Sequence, residues 1–410
     1  MKEKYEITSL ENSENKASLR FLDEHVAKET AKYHASFPAY EPTPLHRLKK
    51  LAEYVGVKDI YLKDESFRFG LNAFKVLGGS YAVVQIIANK LGKTVDELPF
   101  DVLVSKEIKE QLGDLTFVTA TDGNHGRGVA WAANQIGQNS VVFMPENSTQ
   151  ERLENIRKEN SKAEILPMNY DECVRHANRM AEENGWIMIQ DTAWEGYEAI
   201  PTWIMQGYLT MAYEAYLQLN LHQSVPTHIF LQAGVGSMAS AVTGFFASVY
   251  KNNMPVVTVC EPVKANCLFQ TAKYGKGEEL VFVTGEMDTI MAGLACGEPC
   301  TIGWNVLASY ARHFLSVPDS TAAHGMRILG NPLKGDPHII SGESGAVGIG
   351  VVSQVMERPD LQYIKERIGL NSDSVILCIS TEGNTDALRY RELVWDGLYP
   401  NEEELSWNKK

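Results

Sequence analysis

The chain has 410 residues, a net charge of −14 and ordinary apolar (44%) and charged (22%) fractions, so it is long enough for two cores and too acidic to suit nucleic acid or an anionic membrane. No apolar run reaches the roughly 18 residues of a membrane span, and residues 1–6 lack the apolar core of a signal peptide, so a cytoplasmic protein is expected. Cys173, Cys260, Cys267, Cys296, Cys300 and Cys378 lack metal-ligand spacing and are expected as reduced thiols; a bridge between Cys267 and Cys296 stays open.

Residues 1–40 are polar and helix-prone, most strongly over 17–35. Pro42-Thr43-Pro44-Leu45 is an extended lead-in, because proline disfavours helix in the residue before it. Helical spacing over 45–55 precedes a short strand at 59–63. Gly70 then breaks the chain, and Asn72 stands in a helix-capping place ahead of Ala73-Phe74-Lys75-Val76-Leu77. Lys75 is thereby expected in a first helical turn among apolar neighbours. There the helix dipole and burial both lower an amine's pKa, as a neutral nucleophile or Schiff-base lysine requires. The plain alternative is a lysine whose stem packs while its head reaches solvent.

An apolar helix at 80–91 and a shorter one at 106–112 follow. Strand and helix then alternate: strands at 115–120, 140–144, 163–167, 186–190, 228–232 and 256–261 interleave with helices at 129–136, 150–159, 170–184, 200–219 and 238–249. After a long irregular stretch come helices at 322–329 and 346–357 and a last strand at 374–380. This is the pattern of an α/β protein with parallel sheets.

Four loops at strand ends carry chemistry. Gln232-Ala233-Gly234-Val235-Gly236-Ser237-Met238-Ala239 opens a helix, and its glycines let several N–H groups converge on a phosphate. The loop also fits the dinucleotide fingerprint, with Glu261 ending the next strand where a ribose-binding acid would stand. Thr121-Asp122-Gly123-Asn124-His125-Gly126 offers backbone amides for a carboxylate and Asn124 as a donor to a phenolate oxygen; a capped turn is the plain reading. Asp191, and the hydroxyl-bearing end Ser380-Thr381-Glu382-Gly383-Asn384, lie at the carboxyl edge where open α/β sheets bind ligands.

Taken together, these stretches resemble the fold type II, tryptophan-synthase-like family of pyridoxal phosphate enzymes, from Pro42 to Asn384. They resemble most the branch that removes ammonia from 2,3-diaminopropionate. The similarity there is carried by Phe69-Gly70-Leu71-Asn72-Ala73-Phe74-Lys75, Thr121–Gly128, Gln190-Asp191-Thr192-Ala193-Trp194-Glu195-Gly196-Tyr197, Ile290–Glu298 and Ser341-Gly342-Glu343-Ser344-Gly345-Ala346. The resemblance implies two open parallel-sheet domains with pyridoxal 5'-phosphate between them. A discontinuous large domain (1–97 and 186–410) and a small one (98–185) are expected. Lys75 would form the internal aldimine and Asn124 would meet the cofactor's 3-oxygen. Gly234, Val235, Gly236, Ser237 and Met238 would cradle the phosphate, and Thr381 would face the pyridine nitrogen. A neutral hydroxyl there leaves that nitrogen unprotonated and favours prompt elimination.

Serine and threonine dehydratases resemble the chain but carry serine where Asp122 stands. A 3-amino substituent is cationic at neutral pH, so Asp122 and Asp191 would attract it and manage the proton with which the β-nitrogen departs. Thr121, Asp122, Gly123, Asn124, His125 and Asp191 are the expected substrate-binding set, with Lys75, Asp122 and Asp191 catalytic. The expected reaction is β-elimination of 2,3-diaminopropionate, D or L, to pyruvate and two ammonia, in a homodimer. The alternatives are a serine/threonine dehydratase, a NAD-dependent oxidoreductase and a non-catalytic amino-acid-binding protein.

Overall fold

Short apolar runs closed by glycine or polar turns become strands in the computed structural model, which describes residues 3–11, 16–121, 123–275 and 279–400. The chain first forms β1 (Glu6–Ser9), β2 (Leu45–Arg47) and β3 (Asp59–Asp64). Next come β4 (Thr116–Ala120), β5 (Asn139–Met144), β6 (Lys162–Ile165) and β7 (Ile187–Met188). Last are β8 (His228–Gln232), β9 (Val256–Pro262), β10 (His313–Val317) and β11 (Val375–Ser380). One sheet has the order β1-β10-β9-β8-β11-β3-β2 and the other β6-β5-β4-β7. The four-stranded sheet is parallel throughout.

Strands β3, β8, β10 and β11 are buried along their whole length, their polar end residues included. Two expectations change here. The large sheet is mixed, because β1 pairs antiparallel with β10 and β2 antiparallel with β3. The helical spacing over 45–55 splits into β2 and a helix at Lys49–Val55, since Leu45, His46 and Arg47 pair with Lys63, Leu62 and Tyr61 along the sheet edge. Both β1 and β10 were unread from the sequence. They lie about 300 residues apart; β1 is completed by β10, and β10 lies between β1 and β9.

The two sheets meet through helices. Helix Val76–Leu91 packs on helix Asn124–Gln135 where Gly79 faces Gly128. A Cβ on Gly128 would stand 2.8 Å from the Val76 Cα, so only glycine lets the helix cross this close to Lys75. Among the described residues no helix is long and apolar enough to cross a membrane.

Candidate active site

The segment leading to Lys75 is held by buried charge. Arg68 makes two bonds of 2.9 Å to Glu65 and bonds of 2.8 and 2.7 Å to Glu214, and Lys63 adds a 2.6 Å contact to Glu214. Lys63, Glu65, Arg68 and Glu214 are all buried, and two cations balance two carboxylates. The chain then turns through left-handed residues Phe69, Gly70 and Asn72. Asn72 does not cap the helix as expected. Its backbone is left-handed at φ +64°, and its side chain donates to the Asn384 carbonyl at 2.5 Å. The helix begins at Val76, with Lys75 immediately before it. With Phe74 N donating to the Thr381 carbonyl at 3.1 Å, this strap ties Lys75 to the end of β11.

The Lys75 ammonium forms an ion pair with Asp191, which follows β7 and is buried. Burial alone would raise the Asp191 carboxyl, but Lys75 and then His125 outweigh it and hold the group at about 2. His125 Nδ1 stands 3.9 Å from Asp191 Oδ2, and Nε2 bonds the Ile189 carbonyl at 2.9 Å. Ser237 donates to the Asp191 carbonyl at 2.6 Å, joining the glycine loop to the acid. Thr121 Oγ1 accepts from Gly123 N and Gly126 N at 2.9 and 3.1 Å, which shapes the loop at the start of helix Asn124–Gln135. Asp122 lies outside the described residues. Asn124 reaches the same cavity, where its Nδ2 donates to Glu382 at 2.5 Å.

Gly234 to Met238 line this cavity between β8 and helix Ser237–Tyr250. Gly236 is left-handed at φ +99°, which turns the loop into the helix start. A Cβ on Gly234 would come within 3.1 Å of Cys296 Sγ and 3.3 Å of the Leu294 Cα, so the segment 294–296, which also lines the cavity, packs directly against the loop. Cys267 and Cys296 both remain thiols, and Cys267 Sγ lies 3.7 Å from the Gly234 carbonyl.

Thr381 also lines the cavity, and its oxygen accepts from Gln232 Nε2 at 3.0 Å. That bond uses the hydroxyl as an acceptor and leaves its hydrogen for an acceptor nitrogen. A glycine cradle without carboxylates, a helix N-terminus, an amine and this donor hydroxyl together fit pyridoxal phosphate. Glu261 does not fit a ribose-binding role. It is fully buried and caps helix Cys267–Tyr274 by accepting from Leu268 N (2.8 Å) and Phe269 N (2.6 Å), and burial pushes it up to about 8.

The cavity thus brings together Lys75, Thr121, Asn124, His125, Asp191, the glycine loop and Thr381. Sequence reasoning assigned no role to Gln232 or Glu382. Gln232 ends β8 at the sheet's carboxyl edge, a positional signal that could have marked it.

The fold and this cavity define a pyridoxal-phosphate dependent enzyme of fold type II, and the chain belongs to that family, whose profile matches residues 37–381. The chain is 50% identical over 374 residues to the diaminopropionate ammonia-lyase of Escherichia coli (strain K12), covering 91% of this chain and 92% of that one. The crystal structure of the holo form of the Escherichia coli diaminopropionate ammonia lyase superposes with a TM-score of 0.91 at 47% identity, covering 97% of this chain and 98% of that one. The structure of that enzyme in complex with D-serine also gives 0.91, at 46% identity and the same coverage.

Proposed function

We propose that the chain is a β-elimination lyase that converts 2,3-diaminopropionate and water to pyruvate and two ammonia. The observation that carries the reading is the Lys75–Asp191 ion pair, set in one cavity with the glycine cradle and Thr381. Sequence similarity to the Escherichia coli lyase supports the choice of substrate over serine or threonine. When bound, pyridoxal phosphate supplies the electron sink that acidifies the substrate's α-hydrogen.

The protein's residues supply the rest. Gly234, Val235, Gly236, Ser237 and Met238 hold the phosphate, Lys75 carries the cofactor, and Thr381 donates to the ring nitrogen. The loop Thr121, Gly123, Asn124 and His125 receives the substrate carboxylate, with Asn124 meeting the 3-oxygen. Asp191 is a carboxylate at neutral pH, able to take a proton and to attract a β-ammonium group. Its basicity depends on Lys75. Burial is the largest influence on Asp191, so once Lys75 is no longer a free ammonium, that influence raises the acid toward a more useful base. Asp122 completes the acid pair on the strength of the resemblance, serving the D isomer while Asp191 serves the L isomer.

The same reading includes a large domain of 1–97 and 186–410 around a small domain of 98–185, a homodimer and a cytoplasmic setting. The two separate sheets support a division into two units, with β7 (Ile187–Met188) completing the small domain's sheet just past residue 185. Light scattering of the purified protein tests the dimer.

The deciding experiment measures pyruvate and ammonia from D- and L-2,3-diaminopropionate, D- and L-serine and threonine, with Lys75→Ala as the control. Two ammonia per pyruvate are expected from diaminopropionate, with higher kcat/KM than for serine or threonine. Lys75→Ala is expected to fold, to lack the visible absorption of lysine-linked cofactor and to lose activity by orders of magnitude. A preference for serine or threonine would make the protein a dehydratase.

A further inference from the structure

Glu382 has no role in the reaction as described above, yet a conspicuous part of the chain is built around it. Its Oε1 accepts from Ser344 N at 3.0 Å and its Oε2 from Asn124 Nδ2 at 2.5 Å. The loop Ser341–Ala346 wraps it closely. Gly342 N donates to the Glu382 carbonyl at 2.9 Å, and a Cβ on Gly342 would stand 2.9 Å from Glu382 Cγ. A Cβ on Gly345 would come within 2.8 Å of the Glu382 carbonyl oxygen. Gly342 therefore makes room for this side chain, and Gly345 lets the loop pass close to the Glu382 backbone. Glu382 is buried and lines the same cavity as Lys75 and Thr381.

We propose that Glu382 is a positioning residue for the cofactor pocket: it fixes the Asn124 amide so that an N–H faces the 3-oxygen of bound pyridoxal phosphate, and it places a carboxyl group one hydrogen bond behind that amide. A carboxylate only accepts hydrogen bonds, so Asn124 must turn its nitrogen, not its oxygen, toward Glu382. The second hydrogen on that nitrogen is then left for the pocket. A buried acid also favours the protonated form of a nearby ionisable group and raises the pH at which that proton is lost. Other charged groups belong to the same environment. Glu343, in the wrapping loop, is pushed up to about 7 by burial and by Glu382, with Arg152 of helix Gln150–Arg157 pulling it down and Asp386 pushing it up. Lys75 and Asp191 line the cavity with Glu382 and are paired with each other.

The inference rests on pyridoxal phosphate as cofactor and not on diaminopropionate as substrate, so its test uses no substrate. Parent, Glu382→Gln and Glu382→Ala proteins are stripped of cofactor and titrated with pyridoxal phosphate. The visible absorption of each reloaded protein is then followed against pH. Glutamine keeps the shape and carries no charge, but its single acceptor oxygen can hold Asn124 Nδ2 or Ser344 N and not both. Its cofactor affinity should stay within about threefold of the parent's, while its absorption profile moves to lower pH by about one unit. Alanine removes the bond as well and should weaken cofactor binding about tenfold or more. If Glu382 only packed the 341–346 loop, the glutamine variant would titrate like the parent. A Glu382→Gln profile superimposable on the parent's, or moved to higher pH, overturns the proposal, as does undiminished affinity in a folded Glu382→Ala protein. Should the alanine variant fail to fold, the isosteric variant decides alone. A parent that binds pyridoxal phosphate but does not use diaminopropionate would overturn the substrate reading and leave this test intact.

Discussion

Asp191 illustrates how one residue's chemistry is set by its neighbours. Its pKa of about 2 is the outcome of burial pushing up and Lys75 and His125 pulling down. Removing the ammonium should therefore reverse the balance. In Lys75→Gln, Asp191 is expected to titrate above its ordinary value of about 3.9, which carboxyl-labelled NMR can read directly. An unshifted Asp191 would mean that His125 suffices to hold it. A second outcome belongs to the two acids as a pair. The α-hydrogens of bound enantiomers point to opposite faces of the cofactor, and proton transfer needs contact at hydrogen-bond range. Asp191→Asn should lower kcat/KM for L-diaminopropionate by about 10²-fold or more and spare the D isomer, with Asp122→Asn doing the reverse. Equal losses for both isomers in both variants would end the division of labour without touching the lyase assignment.

Among elements, two short segments carry much of the site. The glycine loop depends on Gly236 being left-handed, and any side chain there meets Leu268 at about 3.2 Å. Gly236→Asp adds backbone strain and a carboxylate where a phosphate would sit. Affinity for pyridoxal phosphate should fall by at least about tenfold in an equilibrium titration. The turn Glu65–Gly70 depends instead on the buried cluster of Lys63, Glu65, Arg68 and Glu214. Breaking such a cluster by removing one partner leaves a charge uncompensated in the interior. Glu214→Ala is accordingly expected to lose about 3–5 kcal/mol in urea unfolding, more than truncation of an exposed glutamate would cost. Because the turn leads directly to Lys75, any folded Glu214→Ala protein should also show weakened absorption of lysine-linked cofactor.

Across the whole molecule, burial shapes the dependence of stability on pH through groups far from the site. Burial pushes His34 down to about 3 and His313 to about 4, and lowers His228. His34 is fully buried, with Nδ1 2.7 Å from Thr210 Oγ1 and Nε2 3.1 Å from the Leu77 carbonyl. Below an unfolded-state pKa of about 6.5 the unfolded chain binds protons that the native histidines refuse, so these groups cost stability as pH falls toward 3–4. Glu261 and Glu343 act in the opposite direction, because their raised pKa values let the native state bind protons first. The histidine contribution is therefore read as a difference. The stability gap between the parent and His34→Gln should narrow by about 1 kcal/mol between pH 7.5 and 5.5, and a constant gap would show that His34 takes up its proton in the native state. The same contrast between local and distant causes explains what could be read from the chain. Lys75, Asp191, Thr381 and the loop from Gly234 to Met238 were legible as candidates, because each sits in a local strand, loop or helix pattern whose residue types match a chemistry. The alternation of strand and helix was legible for the same reason. Legibility stopped at contacts between distant segments. Asn72 looks like a cap in its own neighbourhood, but the Asn384 carbonyl, 312 residues away, gives it a different role. Strands β1 and β10 are short and become strands through distant partners, β1 on β10 and β10 between β1 and β9. Lys75 meets Asp191 across 116 residues and Asn124 meets Glu382 across 258, and no periodicity encodes such distances. Local sequence sets propensity and the kind of chemistry on offer, whereas burial and hydrogen-bond partners exist only once the chain has crossed itself, and they decide which residue holds which charge.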